Sequence, residues 1–275
     1  MSSRSSDRLL AAALLLAATT AVAKPPPEEP DNLLNDSFTL QAGIISSSNQ
    51  TSVRYDASAG TPGTVVDGEK DLGLPPKKLI GNAELMFRMK KRHRIRIQTY
   101  YLPLDRQATT LLQKTINFGN TTYNVNDVVQ SKLKMNVLAI NYTYSIVKND
   151  RVELGASLGF DVLGLQADAT AVARLRTESE QRSAPAPLGG LDGALRISSR
   201  WYLEGRAQYV KADVQTVKGT FEAFQANLLY RMTPNVTFGL GYSGFKLDVS
   251  SDKTGDSGLF QLRSVGPQLF ARVGF

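Results

Sequence analysis

The chain has 275 residues, 42% hydrophobic and 21% charged, with a net charge of +7 and a mean hydropathy of −0.20. This balance excludes a disordered chain, and past the N-terminus no run reaches the roughly 18 apolar residues that a spanning helix needs. The lack of cysteine excludes disulfides, a thiolate metal centre, a cysteine nucleophile and a lipid-bearing N-terminal cysteine.

The first element in chain order reads as an export signal. Arg4 and Arg8 precede an apolar stretch at 9–18, and Ala21-Val22-Ala23 supplies a small-x-small cleavage site ahead of Pro25-Pro26-Pro27. A buried helix explains the stretch poorly, because it has no polar stripe and runs into three prolines. Cleavage after Ala23, following Sec export, removes Arg4, Arg8 and Asp7 and leaves about 252 residues with a net charge of about +6. An exported chain of that charge meets anionic lipid rather than nucleic acid. Residues 24–36 read as a proline-rich periplasmic linker.

From residue 37 onward, ten segments alternate in polarity: 37–46, 78–90, 94–106, 132–147, 152–165, 187–198, 201–212, 219–231, 235–249 and 259–275. A period of two defines a strand with two unlike faces. The connections alternate as well. Short polar turns at 90–93, 148–151, 198–200 and 232–235 interleave with longer loops at 47–77, 107–131, 166–186, 213–218 and 250–258. The second long loop holds a hairpin of its own around Gly119-Asn120. This rhythm predicts an all-β, up-and-down antiparallel transmembrane barrel over 37–275. It has ten strands, or eight if two segments belong to an extracellular extension.

A soluble barrel shares the same period, so the placement of aromatics decides. Trp201 and Tyr209 share an apolar face with Leu203, Gly205 and Ala207 between them. Eight residues of tilted strand climb about 20 Å, close to the ~25 Å band between aromatic girdles. Phe224 with Tyr230, Phe238 with Tyr242, Phe87, Tyr144 and Phe275 near the short turns, and Tyr101 and Phe160 toward the long loops fill out two girdles. The opposite face carries Glu84, Arg88, Arg94, Arg96, Glu153, Asp161, Glu204, Arg206, Arg231 and Arg272. In lipid a mid-depth arginine would cost roughly 2–4 kcal/mol. These groups are therefore expected to point into a narrow bore and pair there, Glu84 with Arg96 and Glu204 with Arg206, as an ion-paired filling.

The chain ends in QLFARVGF, with Leu269, Ala271, Val273 and Phe275 on one face. Together with the signal peptide and ten alternating strands, this terminus resembles the bacterial (Gram-negative) outer-membrane β-barrel proteins. The resemblance implies that these four residues are the signal read by the barrel-assembly machinery. It also implies that both termini are periplasmic and that the last strand zips onto the first. It names no function, since one such fold hosts many.

Catalytic and ligand motifs are sparse. His93, the single histidine, lies in a turn among Lys90, Lys91 and Arg92. Barrel enzymes of this resemblance pair a histidine with Ser, Asp or Glu, and no such partner accompanies His93 in sequence. Gly239, Gly241 and Gly244 match G-x-G-x-x-G, but the alternation continues through them and no helix follows, so a dinucleotide site is not expected. Asp248, Asp252 and Asp256 lack the ligand number and spacing of a calcium loop. No cofactor or metal is expected. Arg54, Lys70, Lys77, Lys78, Arg106, Lys114, Lys132, Lys134, Arg174, Arg176, Arg182, Lys211 and Lys218 suit lipopolysaccharide phosphates, although Asp56, Asp67, Glu69, Asp71, Glu178 and Glu180 are interleaved with them. The expectation is a non-catalytic outer-membrane protein with a structural or surface-binding role through its loops. A narrow porin-like channel and a barrel enzyme acting on lipid or peptide are the alternatives.

Overall fold

A strand in lipid has no water for its amides and carbonyls, so each group must find a neighbouring strand and the sheet must close on itself. The computed structural model describes residues 32–101, 106–171, 176–214, 216–253 and 256–275, without the side chains of 100–101, 163, 165–171, 176–186, 212, 214, 217, 253 and 256. The export signal and residues 24–31 therefore lie outside the described residues. The strands are β1 (Phe38–Tyr55), β2 (Val66–Asp67), β3 (Lys77–Lys90), β4 (His93–Tyr101), β5 (Arg106–Leu111), β6 (Ile116–Phe118), β7 (Thr121–Tyr123), β8 (Val128–Lys148), β9 (Val152–Ala171), β10 (Arg176–Arg196), β11 (Trp201–Val214), β12 (Val217–Arg231), β13 (Val236–Lys253) and β14 (Asp256–Gly274).

Ten of these, β1, β3, β4 and β8 through β14, pair antiparallel in chain order, and β14 returns to β1. The barrel is thus closed with ten staves, and the eight-strand alternative is set aside. Leu40 stands opposite Val273 and Ile44 opposite Leu269 across the closing seam. The apolar C-terminus does not fray because its backbone is used: the Ser37 and Phe38 amides donate to the Phe275 carbonyl at 2.6 and 3.1 Å, and the Phe275 amide donates to Phe38 at 3.0 Å.

The short turns fall where expected. The long connections differ, because the strands climb well past their expected ends. β9 and β10 run in register up to Ala171 and Arg176, and β13 and β14 up to Lys253 and Asp256. Ladder pairing is carried by the backbone, so Gly-, Ser- and Asp-rich segments still pair once both partners are held below. The hairpin within 107–131 is present as β6 and β7. Its turn residue Gly119 has φ +58°, which a residue with a Cβ adopts at a cost.

Within the lipid band the expected inversion holds. Leu158 is 72% exposed, Trp201 43% and Tyr209 54%, whereas Glu84 is 4% and Glu153 1% exposed. Above the upper girdle the phase reverses. On β13, Phe238, Leu240 and Tyr242 face outward, and then Lys246 and Asp248 take the outward positions while Phe245 and Leu247 turn inward. On β8, Leu138 and Tyr142 face out, but higher up Met135 and Leu133 are buried. The upper bore accordingly holds apolar clusters, Ile45, Ile80, Met135, Val137 and Leu262 with Phe245 and Phe260, and Leu188, Phe221 and Leu247, beside buried Ser47, Asn49, Thr51 and Ser131. The charged inner face read from sequence is confined to the lower half. Beyond the bilayer the outside is water, so burial rewards the opposite face.

One section of the upper wall is not a continuous ladder. Above Lys77 the edge of β1 is taken by β2 in place of β3, and above Val137 β8 is paired by β5, residues 102–105 between β4 and β5 lying outside the described residues. No pairing joins β2 to β5 among the described residues. Side chains span the gap instead. Val66, Leu112, Ile116, Tyr123 and Val129 form a cluster around a cavity of about 60 Å³, the Thr110 hydroxyl donates to the Leu72 carbonyl at 2.9 Å, and buried Arg106 pairs with Glu69.

Candidate functional site

The two-residue repeat of a strand puts Glu84 with Arg88, Arg94 with Arg96, and Glu204 with Arg206 on the bore side of their strands. Closure then brings distant strands within reach. Arg88 grips Glu153 with two bonds, 2.8 and 3.0 Å, and the Arg94 Nε lies 3.3 Å from the same carboxylate. Arg94 also reaches Asp192 at 2.7 Å, and Asp192 takes Arg96 on its other oxygen at 2.5 Å. Arg96 meets Glu84 at 3.4 Å, and Glu84 accepts two bonds from Arg206 at 3.0 and 3.4 Å. Arg272 pairs with Glu204 at 2.9 and 3.1 Å and with the Gln41 amide oxygen at 2.8 and 3.1 Å.

Glu84, Arg88, Arg94, Arg96, Glu153, Glu204, Arg206 and Arg272 are therefore all engaged in the bore, with two changes of detail. Glu84 does pair with Arg96, but Glu204 and Arg206 do not pair with each other. They lie two apart on one strand, and each finds a partner across the bore. Asp161 is buried higher on β9, opposite Ala139, and its Oδ1 has no hydrogen-bond partner, so it stands outside the network.

Three members were not legible as such. Asp192 holds Arg94, Arg96 and, at 3.2 Å, the Thr143 hydroxyl. Lys148 lies 3.5 Å from Glu153. Asp36 belongs to a segment that enters the mouth at the short-turn end: residues 33–35 form one turn of 3-10 helix, with the Asn32 side chain accepting from the Leu34 amide at 3.1 Å. Leu33 and Leu34 pack on Tyr202, Leu229 and Phe270. Arg231 forks onto Asp36 at 2.8 and 3.0 Å, Arg88 Nε donates to the Asp36 carbonyl at 3.2 Å, and Lys148 donates to the Leu34 carbonyl. Burial pushes the Asp36 carboxyl above its ordinary value, and the Arg231 fork opposes this without cancelling it. The end of the proline-rich stretch is thus docked, and the run Leu33-Leu34-Asn35-Asp36, two leucines one residue short of an acid, was its only trace in sequence.

The outer surface carries the girdles. Phe38 lies tilted against Phe87 and Trp201 against Tyr230, each at 4.9 Å, and Phe224 stacks on Tyr242 at 6.3 Å; Tyr144, Phe160 and Phe238 also face outward. The Tyr101 ring lies outside the described residues. His93 is not a free turn residue but joins the lower girdle, with Nδ1 2.6 Å from the Tyr142 hydroxyl and its ring against Tyr144 at 5.3 Å. Gly239 lies mid-strand under the Phe270 ring, which a Cβ would meet at 2.1 Å. Asp248 pairs with Lys246 at 2.6 Å and Asp252 with Lys218 at 3.3 Å. Arg54, Lys70 and Lys114 pair with Asp56, Asp67 and Asp71, while Arg174 and the side chains of Arg176 and Arg182 lie outside the described residues. Leu269, Ala271, Val273 and Phe275 share the outward face of β14 and the chain end.

No protein-family model matches the chain, and no curated protein matches it. Among solved structures it is similar to the outer membrane protease OmpT from Escherichia coli, at a TM-score of 0.58 and 12% identity, over 88% of this chain and 98% of that one. The transport unit of the autotransporter AIDA-I from Escherichia coli aligns at 0.43 and 10% identity over 96% and 97% of the two chains. Ail, the attachment invasion locus protein of Yersinia pestis, aligns at 0.32 and 12% identity over 84% and 97%. At 12% identity the likeness to the first of these is one of fold: an integral, outer-membrane type of β-barrel.

Proposed function

We propose that this barrel is a non-conducting, non-catalytic outer-membrane protein whose role, structural or surface-binding, is exercised by its extracellular part. The observation that carries this reading is the layering of the bore. The chain of contacts from Glu153 through Arg94, Asp192, Arg96 and Glu84 to Arg206 crosses from β9 to β11, and the cluster around Ile45, Val137 and Leu262 lies above it. Ions would have to break buried pairs and then cross an apolar layer, and breaking one such pair costs about 3–5 kcal/mol.

The single histidine is engaged by tyrosines on the outer wall of the periplasmic rim, which favours the non-catalytic reading over a barrel enzyme. The side-chain-braced roof around Arg106 and Glu69 suits a fixed binding surface. Outward Lys132, Lys134 and Lys211 stand just above the upper girdle, the level of lipopolysaccharide phosphates. The outward apolar face of β14 suits a signal for the assembly machinery. Planar-bilayer recording with the full mature chain tests the reading: no steady current is expected, and a stable ohmic conductance at neutral pH would overturn it in favour of the narrow channel.

A further inference from the structure

The periplasmic rim gathers positive charge. Lys90, Lys91 and Arg92 lie at the turn between β3 and β4, Arg151 in the turn between β8 and β9, and Arg196 and Arg200 flank the turn between β10 and β11. The one carboxylate in these three turns is Asp150. Ion pairs at this end are made by Arg88, Lys148 and Arg231, which turn into the bore; the six rim cations have no carboxylate partner among the described residues. Arg92 is nevertheless fixed in place, because its guanidinium donates to the Ile146 carbonyl at 3.0 Å and the Ser145 carbonyl at 3.5 Å, neither of which cancels its charge.

Lys90, Lys91 and Arg92 line a groove of about 630 Å³ that Lys148, Asn149 and Asp150 close on the other side, the one carboxylate of the lining being outnumbered by its cations. The strands on either side are built irregularly at this level. The register slips between Arg88 and Lys90 on β3 and between Ser145 and Val147 on β8. Each slip inserts a residue and re-aims its neighbours. The result is an apolar shelf beside the cations: Met89 and Ile146 are 57% exposed and Val147 41%, near in sequence to the girdle rings of Phe87 and Tyr144. A soluble anion has no use for this shelf. An amphiphile with a negative head has use for both parts.

We infer that this rim binds an anionic glycerophospholipid of the periplasmic leaflet, with its phosphate on Lys90, Lys91 and Arg92 and its acyl chains over Met89, Ile146 and Val147. The test uses the full mature chain in nanodiscs of phosphatidylcholine mixed equally with phosphatidylglycerol, with retained lipids counted by native mass spectrometry. Phosphatidylglycerol is expected to be retained over phosphatidylcholine by about tenfold or more, given the usual attraction of several surface cations for one anionic head. The triple variant Lys90→Gln, Lys91→Gln, Arg92→Gln is expected to lose that preference while keeping its heat-modifiable migration, and the pair Met89→Ser, Ile146→Ser is expected to weaken it.

Equal retention of the two lipids, or an unchanged preference in the triple variant, would overturn the inference. Displacement of the lipid by excess inorganic phosphate would do so too, because it would mark a site for soluble anions. A preference that emerges only when Glu28, Glu29 and Asp31 are neutralised would mean that the chain's own acidic segment is the occupant.

Discussion

Asp192 takes one guanidinium on each carboxylate oxygen, and both arginines are buried with it. Changing it to asparagine leaves two cations in the bore short of a counter-charge. Asp192→Asn is therefore expected to lower stability by about 3–5 kcal/mol, read from urea unfolding in detergent. Asp161→Asn offers the contrast: that carboxylate has no ion partner among the described residues and its Oδ1 accepts no hydrogen bond, so the loss is expected to stay within about 1 kcal/mol, or become a gain. Equal losses at the two sites would refute the role given to the network. At this scale, the sequence showed which residues face the bore, because alternation sorts them without reference to distance. Asp192 escaped because its inward neighbours on β10, Leu188, Gly190 and Ala194, are apolar or small and hide a lone acid. Partner choice escaped as well: Glu204 stands between Ala194 and Asn227 in the ladder, and its salt bridge to Arg272 exists only once the sheet has closed.

The strands themselves are two-part objects. β13 keeps its geometry from end to end while its apolar face passes from outside to inside between Tyr242 and Phe245. The segment read at 235–249 already passes through that reversal and stops only where Ser250, Ser251 and Asp252 break the apolar alternation, so the polar strand end beyond it reads as loop. What is local was legible, including the short turns and the β6–β7 hairpin. The roof is held by isolated side-chain ties, of which Asp56 is one: it accepts from the Gly63 amide and the Ser257 hydroxyl at 2.9 Å each and pairs with Arg54. Burial would raise its pKa, but these donors outweigh it and hold the carboxyl below its ordinary 3.8. A folded value below the unfolded one stabilises the tie above about pH 3.8 and loses that contribution as the pH falls through the folded value. Hydrogen exchange at the Gly63 amide, corrected for its intrinsic rate, should therefore be equally slow at pH 7 and pH 5, quicken only below about pH 3.8, and be fast at every pH in Asp56→Ala, which removes the acceptor.

For the whole molecule, ten staves could be counted from the alternating segments, and closure followed from a terminal strand too apolar to be left unpaired. The docking of residues 33–36 in the mouth could not be inferred, because it depends on Tyr202, Leu229 and Phe270 meeting from three strands. The absence of native cysteine makes the depth of immersion directly measurable. Probes attached at Leu240→Cys and Lys246→Cys sit six residues apart on one outward face. In lipid vesicles the first should be quenched by a lipid-borne quencher and shielded from iodide, and the second should show the reverse. Similar quenching of both would mean that the reversal of phase does not mark the bilayer boundary.

That reversal gives the protein a waterline. Sliding it upward would strand a ring of leucines in water, and sliding it downward would drown lysines and aspartates in oil, so it can neither bob nor settle. A thicker or thinner bilayer must bend to meet the wall, and whatever the two ends touch is offered at one fixed altitude on either shore.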